Sequence, residues 1–292
     1  MNTHGAHPYH GVKAAMATRH GKEQVVAPAL ATAVGIDLVL AKDVDTDQLG
    51  TFTGEIPRRL GTPVETAVRK AELALESTGL TCAVASEGSF GPHPMAPWLA
   101  CGQEHLVFLD TERALRVTEQ KTTETNFAHH TTSGLDQTTE AFLDSIGFGP
   151  HAVIVRPHTP ADDTPTQPLY KGIQDRTQLR ETITECAAAS ACGRARLETD
   201  MRAHVNPTRM HQIGLLAGTL AARLATLCPA CAAPGYGIVG RERGLPCKLC
   251  GTPTDWHRVV LYGCVLCPQH STHPRADGLT HTDPAHCPSC NP

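Results

Sequence analysis

The fold is decided by residues 43–94, which read DVDTDQLGTFTGEIPRRLGTPVETAVRKAELALESTGLTCAVASEGSFGPHP. Thr62, Pro63 and Glu65 form a capping box: the Thr62 hydroxyl accepts the Glu65 amide proton, and the Glu65 carboxylate reaches back to Thr62. Gly79 is a typical helix stop. The stretch therefore predicts one amphipathic helix between residues 62 and 79, with an apolar face made of Val64, Ala67, Val68, Ala71 and Leu75.

A short buried strand is predicted directly after this helix. Cys82–Ala85 is apolar, and the sequence then changes to Ser86-Glu87-Gly88. Ligand sites of α/β proteins lie at the carboxyl ends of their strands. A carboxylate there is costly to bury without a cation or several donors. Glu87 is therefore the leading candidate for a functional residue.

A second candidate ligand site lies near the N-terminus. Residues 12–18 are predicted as a strand that leads through Thr18-Arg19-His20-Gly21-Lys22-Glu23 into a helix ending near Val34. The free amides and the positive end of such a helix attract phosphate, and Arg19 and Lys22 add charge. The alternative is that Lys22 merely faces water. Residues 36–40 are predicted as a further strand, followed by an acidic segment with Asp43, Asp45 and Asp47.

Length and charge restrict the class of protein. With 292 residues and a formal net charge of −4 at pH 7, the chain can form a main domain plus a smaller one, and it has no overall basic field that favours nucleic acid. No apolar run reaches membrane-spanning length, and the N-terminus lacks a signal-peptide core. We therefore expect a cytoplasmic protein with no membrane contact.

Composition divides the chain into four regions. Residues 1–156 are predicted as an α/β nucleotide- or phosphate-binding domain, a mixed sheet flanked by helices, in which residues 126–134 form a loop. Residues 157–168, PHTPADDTPTQP, have the Pro, Asp and Thr content of a linker. Residues 169–226 are predicted as a helical segment, and residues 227–292 as a zinc-ribbon-like region.

The cysteines indicate metal binding. Eight of the twelve fall in four Cys-x-x-Cys pairs, each of which places two thiolates on one face of a tight turn. Two pairs complete a tetrahedral site, so we expect two closed, structural Zn²⁺ sites. The pairs can combine sequentially or in a nested order, first with fourth. The eight ligands are Cys228, Cys231, Cys247, Cys250, Cys264, Cys267, Cys287 and Cys290. The other four cysteines are predicted to be buried small hydrophobic residues; they are Cys82, Cys101, Cys186 and Cys192.

Residues 198–210, ETDMRAHVNPTRM, are dense in functional side chains and have two interpretations. They complete the active site, or they form a salt-bridged start of a helix beneath the zinc knuckles. The second interpretation is slightly favoured.

Over nearly its whole length the chain resembles a family of uncharacterised bacterial proteins. The matching blocks include ATRHGKE, DTDQLGTFTGEIPRR, TPVETAVRKA, ASEGSFGPHP, ETDMRAHVNPTRM and the cysteine-rich tail. This resemblance implies no activity.

Residues 12–156 are also similar, more distantly, to the pyrophosphatases that act on inosine and xanthosine triphosphates. The turn with Thr18, His20 and Lys22 stands where those enzymes bind phosphate, although His20 replaces their Asn. Glu65 and Arg69 stand on the corresponding helix, and Glu87 in the corresponding acidic turn. The resemblance implies an inosine-triphosphatase-like fold and a Mg²⁺-dependent hydrolysis of nucleoside triphosphates.

Within this interpretation each candidate residue has a role. Glu87 and Glu65 would bind a catalytic Mg²⁺, with Glu55 or Asp47 orienting water. The phosphates would contact basic side chains, namely Arg19, His20, Lys22 and Arg69. The competing interpretation is structural: Glu65 is only a helix cap, and Arg69 pairs with acidic neighbours on a solvated helix face.

Two functions from different classes follow. The favoured one is a metal-dependent nucleotide or phosphate-ester hydrolase that carries a structural zinc ribbon. The alternative is a non-catalytic adaptor whose zinc ribbon binds nucleic acid or a protein. The expected partners are a small phosphorylated molecule, nucleic acid through the ribbon, and a second copy of the chain in a homodimer.

Overall fold

The computed structural model describes residues 6–42, 44–50, 61–93, 96–159 and 167–292. The chain forms two compact units: residues 9–220 make up the larger one, and residues 1–8 together with 221–292 the smaller. Among the described helices, none has the length and apolar character that crossing a lipid bilayer requires.

A five-stranded mixed sheet forms one part of the larger unit. Its strand order is β2-β1-β3-β4-β5, with β1 parallel to β2 and β3, and the remaining pairs antiparallel. The strands are β1 (Lys13–Met16), β2 (Asp37–Leu40), β3 (Cys82–His93), β4 (Ala96–Asp110) and β5 (Leu115–Thr123). Helices α1 (Glu23–Val34) and α2 (Pro63–Thr78) connect the parallel strands. The predicted α/β class and mixed sheet are confirmed.

Helix α2 packs closely on this sheet through small side chains. Its Ala71 and Ala74 are fully buried in one cluster with Ala15 of β1 and Ala83 and Ala85 of β3. Alanine at these positions lets the helix approach the strands, so larger side chains there would overpack the interface. The capping box predicted at the start of α2 is present, and the helix ends at a left-handed Gly79 as expected.

Strand β3 is longer than the apolar run predicts. Cys82–Ala85 is fully buried as expected, but the strand does not end at Ser86. It continues to His93 because β4 pairs with it along its whole length, including Glu87 opposite His105. Glu87 therefore lies within a strand of a long hairpin, and not in a turn after one.

A second, antiparallel sheet completes the larger unit and corrects three sequence predictions. Residues 129–132 are a strand and not a loop, and the segment 169–226 contributes two strands besides its helices. The predicted linker does not separate two domains, because strands from both sides of it pair in one sheet; residues 160–166 of it lie outside the described chain. The sheet order is β6-β9-β7-β8, with β6 (His129–Thr132), β7 (Val153–Pro157), β8 (Tyr170–Ile173) and β9 (Ala195–Thr199).

Helices α3 (Gln137–Ile146) and α4 (Arg176–Ala189) pack on this second sheet. Their apolar faces meet the inward side chains of the strands in one core cluster, which includes Leu143, Val155, Ile183 and Leu197. Helix α5 (Pro207–Ala225) follows, and its last turn belongs to the smaller unit.

The smaller unit contains a three-stranded antiparallel sheet between its cysteine pairs. The strands are β10 (Gly237–Arg243), β11 (His257–Gly263) and β12 (His270–Pro274), in that order. The strand predicted between residues 254 and 262 corresponds to β11.

Candidate functional site

The larger unit has a cavity of about 390 Å³, which we call the basic pocket. Its volume is within the usual range for small-molecule sites. Among the described residues, six lysine and arginine side chains line it, against two carboxylates. The basic side chains are Arg19, Lys22, Lys70, Lys171, Arg202 and Arg209, and the acidic ones are Asp47 and Glu87.

Lys22 is the most unusual of these side chains. It lies at the start of α1, after a left-handed Gly21, and only 7% of its surface is exposed. Its Nζ donates a hydrogen bond to Ser86 Oγ at 2.8 Å, and no described carboxylate forms an ion pair with it. Burial is the largest cause of a lowered pKa, followed by Arg209 and Lys70. Together they lower the pKa of Lys22 to about 7, against smaller opposing effects of Glu104 and Glu87.

Four of the other basic side chains in the pocket have carboxylate partners. Lys70 Nζ lies 2.6 Å from Glu87 Oε2 in a pair that is mostly buried. The remaining pairs are Arg19 with Asp45 and Asp47, Arg202 with Asp200, and Arg209 with Glu104. Most of the described positive charge in the pocket is thus balanced, whereas buried Lys22 forms no ion pair with a described carboxylate.

His20 lies next to Lys22 and is neutral at physiological pH. Its ring stacks on that of His204, with centroids 5.0 Å apart and planes inclined by 5°. Burial, and then the charge of Lys22, lower the pKa of His20 to about 3. In this state His20 can donate one hydrogen bond and accept another, but it adds no charge for a phosphate.

The pocket brings together some of the predicted site residues and not others. Arg19, His20, Lys22, Asp47 and Glu87 all line it. Two other candidates do not belong to its lining, and Glu55 lies outside the described residues.

Glu65 and Arg69 have structural partners instead. Glu65 completes the helix cap through hydrogen bonds from the Thr62 amide at 2.6 Å and the Thr62 hydroxyl at 3.0 Å. Arg69 forms ion pairs with Glu72 and Glu76 on an exposed face of α2. These contacts are those of the competing interpretation, in which Glu65 is a helix cap and Arg69 pairs with acidic neighbours on α2.

Several of the described lining residues were not named as candidate site residues in the sequence analysis. Lys70 lies one position after Arg69 on α2 and points into the pocket, whereas Arg69 points away. Ser86 was seen only as the end of a strand. Lys171, Arg202 and Arg209 come from later parts of the chain. The block 198–210 thus contributes two arginines to the pocket, which supports the interpretation that was disfavoured for it.

The candidate metal sites lie in the smaller unit and pair in a way that was not predicted. Cys228 and Cys231 cluster with Cys264 and Cys267, and Cys247 and Cys250 cluster with Cys287 and Cys290. The first pair therefore combines with the third and the second with the fourth. Both the sequential and the nested pairing are wrong, because each pair alternates with the other cluster along the chain.

The spacing of the sulfur atoms fits zinc. Tetrahedral Zn–S bonds of about 2.3 Å separate neighbouring sulfurs by about 3.8 Å. In the first cluster Sγ–Sγ distances are 3.7 Å for Cys228–Cys267 and 3.6 Å for Cys231–Cys264. In the second they are 3.9 Å for Cys247–Cys290 and 3.6 Å for Cys250–Cys287.

The thiols show the crowding that a cation would relieve. The neighbouring thiol of Cys250 is the largest cause that raises the pKa of Cys290 to about 12. All four thiols of a cluster can ionise together only when a divalent cation balances them. With four thiolates each, the sites have no position left for a reacting water, so the expected role is structural. Of the remaining cysteines, three are buried as predicted, but Cys192 is exposed.

In the described part of the chain, only the two cysteine clusters bring together three or more metal-ligating side chains. The described carboxylates of the basic pocket are Asp47 and Glu87, and both have basic partners. The described residues of the pocket therefore do not form a ready-made site for the predicted Mg²⁺.

Comparison with known proteins gives a family and no activity. No curated protein matches the chain. The profile of a domain of unknown function, DUF6671, matches residues 70–292, which include Lys70, Glu87, the second sheet and both cysteine clusters. Since this match spans well over half of its length, the chain belongs to the DUF6671 family.

Proposed function

We propose that the basic pocket binds a phosphorylated small molecule of the nucleotide or phosphate-ester class. One observation carries the proposal: Lys22 is a buried basic side chain that lines a pocket and has no ion pair with a described carboxylate. A buried charge is costly unless an opposite charge compensates it. A phosphate group would supply that charge.

The neighbouring side chains support an anion at this place. Lys70, Arg202 and Arg209 reach the same cavity, and although each has a carboxylate partner, each can share donors with a second anion. Arg202 is the best placed to reorient, since its side chain is 27% exposed. The uncharged His20 and Ser86 add hydrogen-bonding groups beside Lys22.

The resemblance to triphosphate pyrophosphatases implies hydrolysis of the bound molecule. Hydrolysis requires a metal site in the pocket in addition to the phosphate-binding side chains. Mg²⁺ is commonly held by one or two carboxylates together with the phosphates of the substrate. Asp47 and Glu87 are the described carboxylates available for this, and Glu87 would have to exchange Lys70 for the metal. We therefore treat turnover as a second proposal that is tested separately.

The adaptor alternative has weaker support. Ion pairs neutralise much of the basic charge in the smaller unit, and nucleic-acid binding needs a patch of free positive charge. These pairs are Arg243 with Asp255, Arg258 with Glu242, and Arg275 with Asp277.

Calorimetric titration with pyrophosphate, ATP and ITP, with and without Mg²⁺, tests binding. Lys22→Met should weaken binding by about 10- to 100-fold, which is the value of one or two hydrogen bonds to a charged group. Arg180→Gln is the matched control, since Arg180 is an exposed basic residue of the same unit that is not part of the pocket. The binding proposal fails if no anion binds, or if Lys22→Met binds as tightly as the wild type.

Turnover is measured as phosphate or pyrophosphate release from the same nucleotides with Mg²⁺. We expect Glu87→Gln to abolish release while anion binding persists. Tight binding without any release in the wild type would reject hydrolysis and leave the binding proposal intact.

A further inference from the structure

Lys22 has a second chemical property that phosphate binding does not use. An amine is a nucleophile only when it is unprotonated, and burial beside other cations is the usual way in which proteins favour that form. Lys22 meets both conditions: it is buried, and the charges of Arg209 and Lys70, which line the same pocket, disfavour its protonation. Its hydrogen-bond partner Ser86 is a hydroxyl, which can accept from an ammonium and can also donate to a free amine.

The amine is also accessible to a ligand, although not directly to bulk solvent. Both Lys22 and Ser86 line the basic pocket, so a molecule in the cavity can reach the Nζ. Arg202, Arg209 and Lys70 line the same cavity and would orient an anionic group on that molecule. The combination is a buried nucleophilic amine in a pocket that attracts anions.

We propose that Lys22 forms a reversible Schiff base with a small aldehyde or ketone that carries an anionic group. This goes beyond phosphate binding and does not depend on it.

The reaction needs no component beyond these groups and water. The lone pair of Nζ attacks the carbonyl carbon, and the carbonyl oxygen takes up the proton that the amine loses, which gives a carbinolamine. Loss of that hydroxyl as water, with the remaining amine proton, leaves the C=N bond. The net change is an amine plus a carbonyl compound giving an imine plus one water. Ser86 Oγ, at 2.8 Å from Nζ, is placed to relay the proton.

The other lysines provide internal comparisons. Lys70 lines the same pocket but forms an ion pair with Glu87 at 2.6 Å. Lys121 lies exposed on β5 and does not line the basic pocket. At pH 7 an ordinary exposed lysine has a neutral fraction about a thousandfold smaller than that of an amine with a pKa near 7.

The test uses the full-length chain with glyoxylate as the probe and cyanoborohydride, which reduces the imine to a stable carboxymethyl-lysine. Peptide mass spectrometry then gives the rate at each lysine. At pH 7 we expect Lys22 to react at least about tenfold faster than Lys121, since its larger neutral fraction outweighs the lower nucleophilicity of a less basic amine. Raising the pH to 10 should reduce this ratio, because a larger fraction of ordinary exposed lysines is then unprotonated.

Two controls make the result specific. Lys22→Arg should lose the label at position 22 and keep the rates at Lys121 and Lys13. Acetaldehyde, which has no anionic group, should label Lys22 less selectively than glyoxylate does. Labelling of Lys22 at or below the rate of Lys121 at pH 7 would overturn the Schiff-base proposal. Equal selectivity for glyoxylate and acetaldehyde would overturn the claim that the carbonyl compound carries an anionic group.

Added pyrophosphate separates this inference from the proposed function. If Lys22 reacts fast and pyrophosphate slows the reaction, both the Schiff-base proposal and the phosphate-binding proposal are supported. A bound anion favours the protonated form of the amine and also blocks access to it. If Lys22 reacts fast and pyrophosphate has no effect on the rate, the Schiff-base proposal is supported and the proposal that phosphate binds at Lys22 is rejected. If calorimetry shows pyrophosphate binding but Lys22 is unreactive, only the Schiff base fails.

Discussion

Arg209 and Glu104 form a buried ion pair between α5 and the β3–β4 hairpin. Arg209 Nε lies 2.7 Å from Glu104 Oε1, and the two side chains are 9% and 1% exposed. The guanidinium also donates to the carbonyl of Met201 and lies over the Phe90 ring, 4.9 Å from its centroid. This pair fixes one wall of the basic pocket, so its integrity determines the shape of the site.

Removing one charge of this pair should be far more damaging than removing both. Glu104→Gln leaves Arg209 buried without its carboxylate, and we expect it to lower the free energy of unfolding by about 3–5 kcal/mol. Arg209→Met alone likewise leaves Glu104 buried without its partner. The double variant Glu104→Gln/Arg209→Met leaves neither charge unpaired, so it should be less destabilised than either single variant. Urea denaturation of the four proteins gives the coupling, and strictly additive effects would contradict a buried pair.

Gly88 makes room for this pair, so its replacement should disturb the same wall. A Cβ atom at Gly88 would lie 2.4 Å from Arg209 Nη2 and 2.6 Å from Glu104 Oε1. We expect Gly88→Ala to destabilise the protein by about 1–3 kcal/mol through overpacking and to weaken pyrophosphate binding. Gly91→Ala is a matched control on the same strand, because its Cβ would have no neighbour within 4 Å. Equal stability of the two variants would contradict the close packing.

The charge of Lys22 should make stability depend on pH in a defined window. The unfolded chain keeps its lysine protonated up to about pH 10.4, whereas the folded protein releases this proton near pH 7. Between these values the unfolded state binds more protons, so stability rises with pH. We expect Lys22→Met to remove this rise and to stabilise the protein below pH 7, as measured by thermal unfolding between pH 6 and 10. Lys121→Met, which removes an exposed lysine, should keep the wild-type profile.

Zinc content should reveal which cysteines belong together. We expect the wild type to bind two Zn²⁺ per chain, one in each cluster. Cys231→Ser/Cys264→Ser removes two ligands of one cluster and should leave about one Zn²⁺. Cys231→Ser/Cys250→Ser removes one ligand from each cluster and should weaken both sites. Elemental analysis after dialysis against a chelator distinguishes the two results, and the opposite ranking would restore sequential pairing.

The two interpretations of Glu65 can be separated through Thr62. Thr62→Ala removes the side-chain part of the cap and should cost about 1 kcal/mol of stability. Neither this change nor Glu65→Gln should alter pyrophosphate affinity, because Glu65 does not line the basic pocket. If Glu65→Gln lowered the affinity for pyrophosphate without changing stability, Glu65 would have to be part of the binding site.

The features that the sequence predicted well depend on neighbours a few residues apart. The cap of α2, its Gly79 stop and the turn into α1 are local, and each is present. Strand β3 beyond Ala85 was missed because its polar residues become a strand only through pairing with β4. Lys70 was missed in favour of Arg69, since the sequence does not show which of two adjacent positions faces a cavity.

The remaining differences involve residues that are distant in the chain. Lys171, Arg202 and Arg209 line the same pocket as Lys22 through the tertiary structure, and no spacing rule in the sequence links them. The zinc pairing was wrong for a similar reason: all four Cys-x-x-Cys turns are equivalent locally, and only the path of β10–β12 decides which turns meet.

The alternation of the cysteine pairs has a consequence for how this region can be cut. A fragment that stops before Cys264 holds half of each ligand set and completes neither, and one that starts after Cys231 lacks half of the first set. Two Zn²⁺ ions bound in these clusters would therefore cross-link the same stretch of polypeptide. Neither half of the region contains a complete ligand set, so neither should bind zinc as a separate module. An insertion or deletion between the cysteine pairs would affect both metal sites at once.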